Sequence, residues 1–336
     1  MMFTSPGRAA RRLLLSVAAV SLLAGCGSTQ ATSTQATPAQ ATSTAAYPLS
    51  LPVPGQDQPL VLKSRPERIA VLSPDAATAV DELVGIGPVI AVPSSSQRPS
   101  TSVRVQDFAH VPHVIPDGVN PDPEQVLSWN PDLVVVTARH TGETDASAAL
   151  TQAGVPVLTL TNNWQTPKDV ADNITLIGRA LDAEAKAAEL VSRIDSGMAA
   201  VREQVASVTE RPSVLIMPNM GGKVYVSATN VLTSALVDAA GGVNAAVEAG
   251  YTHTMPVSPE QVVAADPDMI MLIDVMGAGE KSFSAVMDNP AVRKLPAVRD
   301  GKVRLFSASK IYGIGGVELV DGLKDIAGWL HPTTTR

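Results

Sequence analysis

One cysteine in 336 residues leaves nothing for a disulfide framework or a cysteine-based zinc site within the chain. Aromatic residues are scarce, at 3%, and charged residues make up only 17%. No apolar run is long enough to cross a bilayer, which takes about 20 residues. Basic residues are also short: 25 against 32 acids, a net charge of −7. Three of the 25, Arg8, Arg11 and Arg12, sit in the first 25 residues, which hold no acid; the remainder carries 22 against 32, or −10. A surface of that sign argues against nucleic acid, whose binding is driven by phosphate neutralisation. Hydrophobic residues at 45% rule out a disordered chain.

What is present begins with an address. Leu13 to Leu23 is an eleven-residue apolar run behind the three arginines, and Leu23-Ala24-Gly25-Cys26 follows directly. A basic start, a short apolar core and small residues at the cut read as a secretory signal over residues 1–25. The junction resembles the bacterial lipobox, in which the cysteine, here Cys26, is diacylated and becomes the mature N-terminus. The Arg11-Arg12 pair fits twin-arginine export only weakly, leaving the export route open. Residues 27–46 are almost entirely Gly, Ser, Thr, Gln, Ala and Pro, with Ser28-Thr29-Gln30-Ala31-Thr32 repeated as 33–37. Nothing there builds a core, so residues 26–58 are expected to be a flexible tether with a reach of about 30 Å.

From residue 59 the pattern becomes α/β. Short apolar strands are expected at Ile69–Leu72, Val89–Val92, Leu133–Thr137 and Val155–Leu160, and again at Val214–Met217, Val224–Val226, Met269–Ile273 and Val303–Phe306. Helices are expected at Asp75–Leu83 behind Ser73-Pro74, at Leu232–Ala240 and at Val317–Leu330. Wholly apolar strands alternating with helices indicate parallel sheet covered on both faces.

One element recurs. Pro123-Glu124-Gln125-Val126 through Asn130-Pro131-Asp132-Leu133 aligns with Pro259-Glu260-Gln261-Val262 through Asp266-Pro267-Asp268-Met269, at a constant offset of 136. Between the halves, apolar residues from Val170 to Val208 keep helical spacing, Ala185, Ala188 and Val191 among them. An N-cap at Asp182 divides the stretch into helices 168–181 and 183–208, the second about 39 Å long at 1.5 Å per residue. The fold class is therefore α/β: two similar lobes, each a parallel sheet flanked by helices, over residues 59–167 and 211–336, joined by one long backbone helix within 168–210.

Lipobox, tether, Arg-Pro-Glu-Arg-Ile-Ala-Val-Leu-Ser-Pro-Asp at 65–75, the duplicated Pro-Glu-Gln element and the joining helix come in one order. Together they resemble the helical-backbone substrate-binding lipoproteins of bacterial ABC importers for iron-siderophores, haem and cobalamin. The resemblance implies a non-catalytic monomer, anchored to the outer face of the cytoplasmic membrane, that hands its ligand to a permease and its ATPase. It implies that Glu124 and Glu260 dock onto permease arginines; independently, each suits the positive end of a helix.

Ligands of open α/β sheets sit beyond the carboxyl ends of the strands. That rule selects Ser73, Arg139, His140, Asn163, Trp164, Asn219, Met220, Asp274, Met276 and Ser309 to Tyr312, with Tyr251 nearby. Arginine offers a planar fork to carboxylates. By the resemblance, His140 and Tyr251, one on each lobe, are the axial ligands if the cargo is haem, while Arg139 and Trp164 equally suit an anionic ferric siderophore. No permanent cofactor is expected, and cobalamin is the alternative cargo. A different class, a secreted α/β hydrolase, finds no Gly-x-Ser-x-Gly elbow. Gly277-Ala278-Gly279-Glu280-Lys281-Ser282 lacks P-loop spacing. In His110-Val111-Pro112-His113 the proline breaks the helix that metal-ligand spacing needs, and no acidic or histidine-rich loop suggests a bare-metal carrier.

Overall fold

A computed structural model describes residues 46–313 and 315–332. Cys26, the signal segment and the tether up to residue 45 lie outside the described residues.

The first lobe is a five-stranded, wholly parallel sheet in the order β5-β4-β3-β6-β7, where β3 is Ile69–Val71, β4 Val89–Pro93, β5 His113–Ile115, β6 Leu133–Thr137 and β7 Val157–Leu160. Its strands are short and apolar on both sides because both faces are covered. Ile69, Val71, Leu133, Val135, Leu158 and Leu160 face one way; Ala70, Leu72, Val134, Val136 and Val157 face the other, onto Val126 and Leu150 of helices Pro123–Ser128 and Thr141–Gln152. Ahead of this sheet, β1 (Leu49–Leu51) pairs antiparallel with β2 (Leu60–Leu62). This corrects the expected tether boundary: Leu51, Val53, Leu60 and Leu62 are buried, so ordered chain begins well before residue 59. Three buried leucines in the strands and Val53 just beyond β1 order a segment otherwise rich in Pro, Gly and Gln.

The second lobe holds β8 (Ser213–Met220), β9 (Lys223–Val226), β10 (Val243–Asn244), β11 (Met255–Pro256), β12 (Met269–Asp274) and β13 (Val303–Ser307). The central run β8-β12-β13 is parallel, but β9 returns antiparallel to β8. The cause is the Gly221-Gly222 turn, with φ of 53° and 76°. Both central residues of a tight hairpin turn need positive φ, which glycine adopts without penalty. The second sheet is thus mixed.

Both halves of the duplicated element fold alike. Asn130 and Asp266, 136 apart, are each left-handed, at φ 49° and 37°. Asp132 accepts the backbone N–H of Glu67 and Arg68 just before β3, and Asp268 accepts that of Ser213 at the start of β8. The repeated Pro-Asp therefore ties each helix-strand unit to the neighbouring strand.

Helices Pro167–Ala180 and Glu184–Val205 join the lobes. The second has 22 residues, about 33 Å, shorter than expected. Asp182 does not cap it: the residue turns the chain at φ 54°, and Ala183 occupies the cap position. The stripe shifts only at its start: Ala187 and Leu190 are buried in place of Ala185, Ala188 and Val191, and from Ile194 through Met198, Val201 and Val205 the expected face is the buried one. Gly197 lets the helix Glu318–Leu330 of the second lobe approach closely; a Cβ there would lie 2.4 Å from Val320. The inner faces of both sheets, these helices and Pro74–Val84 share one continuous apolar core.

Candidate functional site

The strand-end loops of both lobes converge on a cavity of about 410 Å³. From the first lobe it is lined by Pro74 and Asp75 after β3, Ser95, Arg98 and Thr101 after β4, Arg139 and His140 after β6, and Asn163, Trp164 and Gln165 after β7. From the second it is lined by Met220 at the end of β8, Val275 after β12, Tyr312 and Gly313 after β13, and Asn230 to Leu232. Of the residues expected at the cleft, Arg139, His140, Asn163, Trp164, Met220 and Tyr312 meet here.

A buried network holds the first-lobe wall. Arg139 is ion-paired to Asp75, which is 1% exposed. The hydroxyl of Thr137, the last residue of β6, donates to Asp75 Oδ1 (3.2 Å), and the Trp164 indole N–H donates to that hydroxyl (2.9 Å). Asn163 and Trp164 are consecutive left-handed residues at φ 59° and 56°. Without glycine this costs about 1–2 kcal/mol each. The Asn162 side chain holds the turn, accepting from Trp164 N at 3.2 Å and Asn173 Nδ2 at 2.7 Å. Strain kept in place at a cavity wall is typical of sites that need one fixed geometry.

His140 stands at the cap of helix Thr141–Gln152. Buried Glu143 turns one oxygen, Oε2, on three nitrogens: the backbone N–H of Arg139 (2.7 Å) and His140 (2.8 Å), and His140 Nδ1 (3.1 Å). An oxygen accepting two backbone donors has no room for a proton of its own, so Nδ1 is the donor. In the neutral ring Nε2 then keeps its lone pair. Tyr312 offers less to a metal. Burial raises its phenol above the ordinary value, against the opposing Arg139 charge, and its hydroxyl donates to Met220 Sδ at 3.1 Å.

Three expected ligand residues do other work. Ser73 is fully buried, its hydroxyl bonded to Thr137, so it braces β3 against β6. Asn219 is buried and shapes the loop after β12: its amide donates to Asp274 and Ser282, and its carbonyl accepts from Val275 and Met276 N–H. Burial raises the Asp274 carboxyl, but the bonds from Asn219 and the backbone of residues 277–279 outweigh it and hold the group below the ordinary range. Tyr251 is half-buried against the outer core of its own lobe and does not line the cavity. Its pairing with His140 as a two-sided iron clamp is therefore corrected: Tyr251 packs against the second-lobe cluster that holds Leu215, Met217 and Val226 and is absent from the cavity wall.

Arg98 was missed. It follows β4, a strand exit like the others, and the carboxyl-end rule applied there finds it. It is exposed, lines the cavity, and has no ion pair among the described residues, whereas Arg139 is already engaged by Asp75. The cavity thus presents one spare guanidinium and a histidine, and its single carboxylate is neutralised. Among the described residues no group of three or more His, Cys, Asp or Glu is placed to hold a bare metal ion.

Glu124 and Glu260 are exposed in the first turns of their helices. The segments that lead into both helices pass near the carboxyl ends of strands. Residues 118–120 run past Leu72, Pro93 and Gly142, at the carboxyl ends of β3, β4 and β6. Val257 bonds Val224, the partner of Asn219 near the end of β8.

Residues 69–309 match a family model described as periplasmic binding protein. The chain is 26% identical over 326 residues to the uncharacterised ABC transporter substrate-binding lipoprotein YvrC of Bacillus subtilis, with 96% of each chain covered. It is 27% identical over 288 residues to a cobalamin-binding protein of Halobacterium salinarum, over 82% of this chain and 72% of that one. Among solved structures, a periplasmic haem-binding protein from Pseudomonas aeruginosa shares the fold with a TM-score of 0.70, at 23% identity over 80% of this chain and 94% of the other.

Proposed function

The chain belongs to the periplasmic binding protein family, and from that premise we propose that it captures an iron chelate, haem or a ferric siderophore, in the inter-lobe cavity. It is a binding protein and not an enzyme. In this reading Cys26 carries the lipid that holds the protein on the outer face of the cytoplasmic membrane, and the bound chelate is delivered to an ABC permease.

The observation that carries the ligand class is the sign of the cavity. Arg98 and the Arg139–Asp75 pair leave it cationic, as an anionic chelate requires, on a protein whose overall charge is −7. A guanidinium fork binds carboxylates or chelate oxygens bidentately. The Nε2 lone pair of His140 offers an axial ligand to a metal with an open position. Glu124 and Glu260, one per lobe and both exposed, are the carboxylates that permease arginines would meet. Cobalamin is the second reading, favoured by the likeness to the Halobacterium salinarum protein.

The test is a titration of the mature protein with haemin, a ferric siderophore and cyanocobalamin, followed by Trp164 fluorescence and visible spectra. Haemin binding with a Soret shift that His140→Ala removes supports axial ligation. Tight siderophore binding weakened by Arg98→Ala supports the anionic chelate without it. Binding of cyanocobalamin alone rejects the iron-chelate reading.

A further inference from the structure

Beside the cavity, Arg104 faces three carboxylates drawn from both lobes. Its Nη1 lies 2.9 Å from Asp81 Oδ2 and its Nη2 2.9 Å from Glu82 Oε1, both on the first-lobe helix Pro74–Val84. Its Nε lies 3.3 Å from Oε1 of Glu318, the first residue of the second-lobe helix Glu318–Leu330. The three acidic side chains are only 7%, 3% and 14% exposed. Backbone presses the lobes together at the same place. Val317 N–H donates to Glu82 Oε2 at 3.2 Å. A Cβ on Gly315 would meet the Asp75 carbonyl oxygen, and one on Gly316 would meet Glu82, Glu318 and Thr78. Residues 315–318 thus run from Asp75, the partner of Arg139 in the cavity wall, to the Arg104 cluster.

We propose that Arg104 is a positioning residue for ligand capture: it clamps the second lobe to the first and so fixes the width of the cleft. The reasoning is charge balance at low exposure. With Arg104 present, one planar cation is shared between Asp81 and Glu82 on one lobe and Glu318 on the other. Without it, acids of the two lobes confront each other across a poorly solvated contact, where like charges repel far more strongly than in water. Removing one partner from a buried ionic group is costly for that reason. A purely local role, such as stiffening the loop around residue 104, predicts no dependence on Glu318.

The experiment uses the mature chain with Cys26→Ser and spin labels at Val114→Cys and Val247→Cys, exposed positions on opposite lobes. Inter-lobe distance is measured by dipolar electron spin resonance without ligand. Arg104→Gln is expected to lengthen and broaden the distance distribution by several ångströms. Adding Glu318→Gln to that variant is expected to narrow it again, because no acid then faces the first lobe. In the wild-type background Glu318→Gln acts in the opposite sense, broadening the distribution slightly by weakening the cross-lobe contact. That reversal of sign is the signature of the clamp. Should Arg104→Gln not fold, Glu318→Gln alone decides, and an unchanged distribution overturns the proposal. So does an Arg104→Gln distribution identical to wild type.

The functional arm rests on the proposed cavity site: haemin affinity is expected to fall about tenfold in Arg104→Gln and to recover in the double variant. Distances that respond while no chelate binds even the wild type would sink the iron-chelate reading and leave the clamp standing. Chelate binding with unresponsive distances would do the reverse.

Discussion

The two copies of the Pro-Glu-Gln element agree at one end and part company at the other. Asp122 and Ser258 cap their helices, Glu124 and Glu260 stand in the first turn, and Asn130 and Asp266 make the same left-handed turn. Asp132 and Asp268 anchor the next strand. Carry the offset of 136 past the strand and the likeness stops: Arg139 and His140 are answered by Val275 and Met276. The frame is duplicated, while the chemistry at the strand exit is not. Polar and charged side chains of the cavity wall are concentrated on the first lobe, and the second contributes Met220, Val231, Leu232 and Val275 with only Asn230 and the phenol of Tyr312 as polar side chains.

The largest effect should come from the part the copies share. Replacing Glu124 and Glu260 together with alanine is expected to abolish chelate-dependent uptake while leaving affinity within about twofold. Normal uptake by the double variant removes the docking role; lost affinity moves these residues to the cavity. Next comes the part that differs. Arg98→Ala is expected to weaken binding of an anionic chelate ten- to a hundredfold, about 1.4–2.8 kcal/mol, and to flatten its salt dependence. Val275→Ala, in the second-lobe wall of the cavity, should change affinity little. Equal losses would mean that recognition is not one-sided.

Smaller effects test the frame. Asp132→Ala and Asp268→Ala each leave strand-start N–H groups without their charged acceptor, at a cost of about 1–2 kcal/mol in urea unfolding. The two should match, and a cost confined to one copy would show that the anchor is not equivalent. Asn130→Gly and Asp266→Gly relieve a left-handed backbone and should be neutral or stabilising by up to about 1 kcal/mol.

The Arg104 cluster adds a pH test. Burial and then Glu318 raise Glu82, against Arg104; burial likewise raises Asp81, with Asp107 and Glu318 adding to it and Arg104 opposing. A carboxyl raised in the fold stabilises below its unfolded value, and that contribution is lost as pH rises through the folded value. Wild type should therefore lose stability relative to Glu82→Gln as pH climbs from acid toward neutral. A difference independent of pH would contradict the shift.

Much of this architecture was legible in the sequence. Leu133–Thr137 is a strand at its expected limits because five consecutive apolar or β-branched residues between turn signals have no other stable use. Helix Pro74–Val84 has its Ser-Pro start and its Gly85 stop. What escaped were elements whose meaning depends on a distant partner. β1 is three residues long and exists through its pairing with β2. Arg139 reads as a free cation until folding brings Asp75 to it from 64 positions away. Tyr251 and Asn219 sit beside strand ends in sequence, yet one packs on its own lobe and the other is spent on holding a loop. Side-chain direction, which spacing in a loop does not encode, decides between lining a cavity and bracing it.

Because the inner faces of both sheets contribute to one apolar core, neither lobe has an interior of its own on that side. Cut after residue 181, the first lobe would expose Ile174, Ile177 and the undersides of β3 and β6 to water. The halves descend from one pattern, but they should melt in a single cooperative transition. Neither should be recoverable as a separate folded fragment, and trading one lobe for that of a relative would require recutting the shared seam along with it.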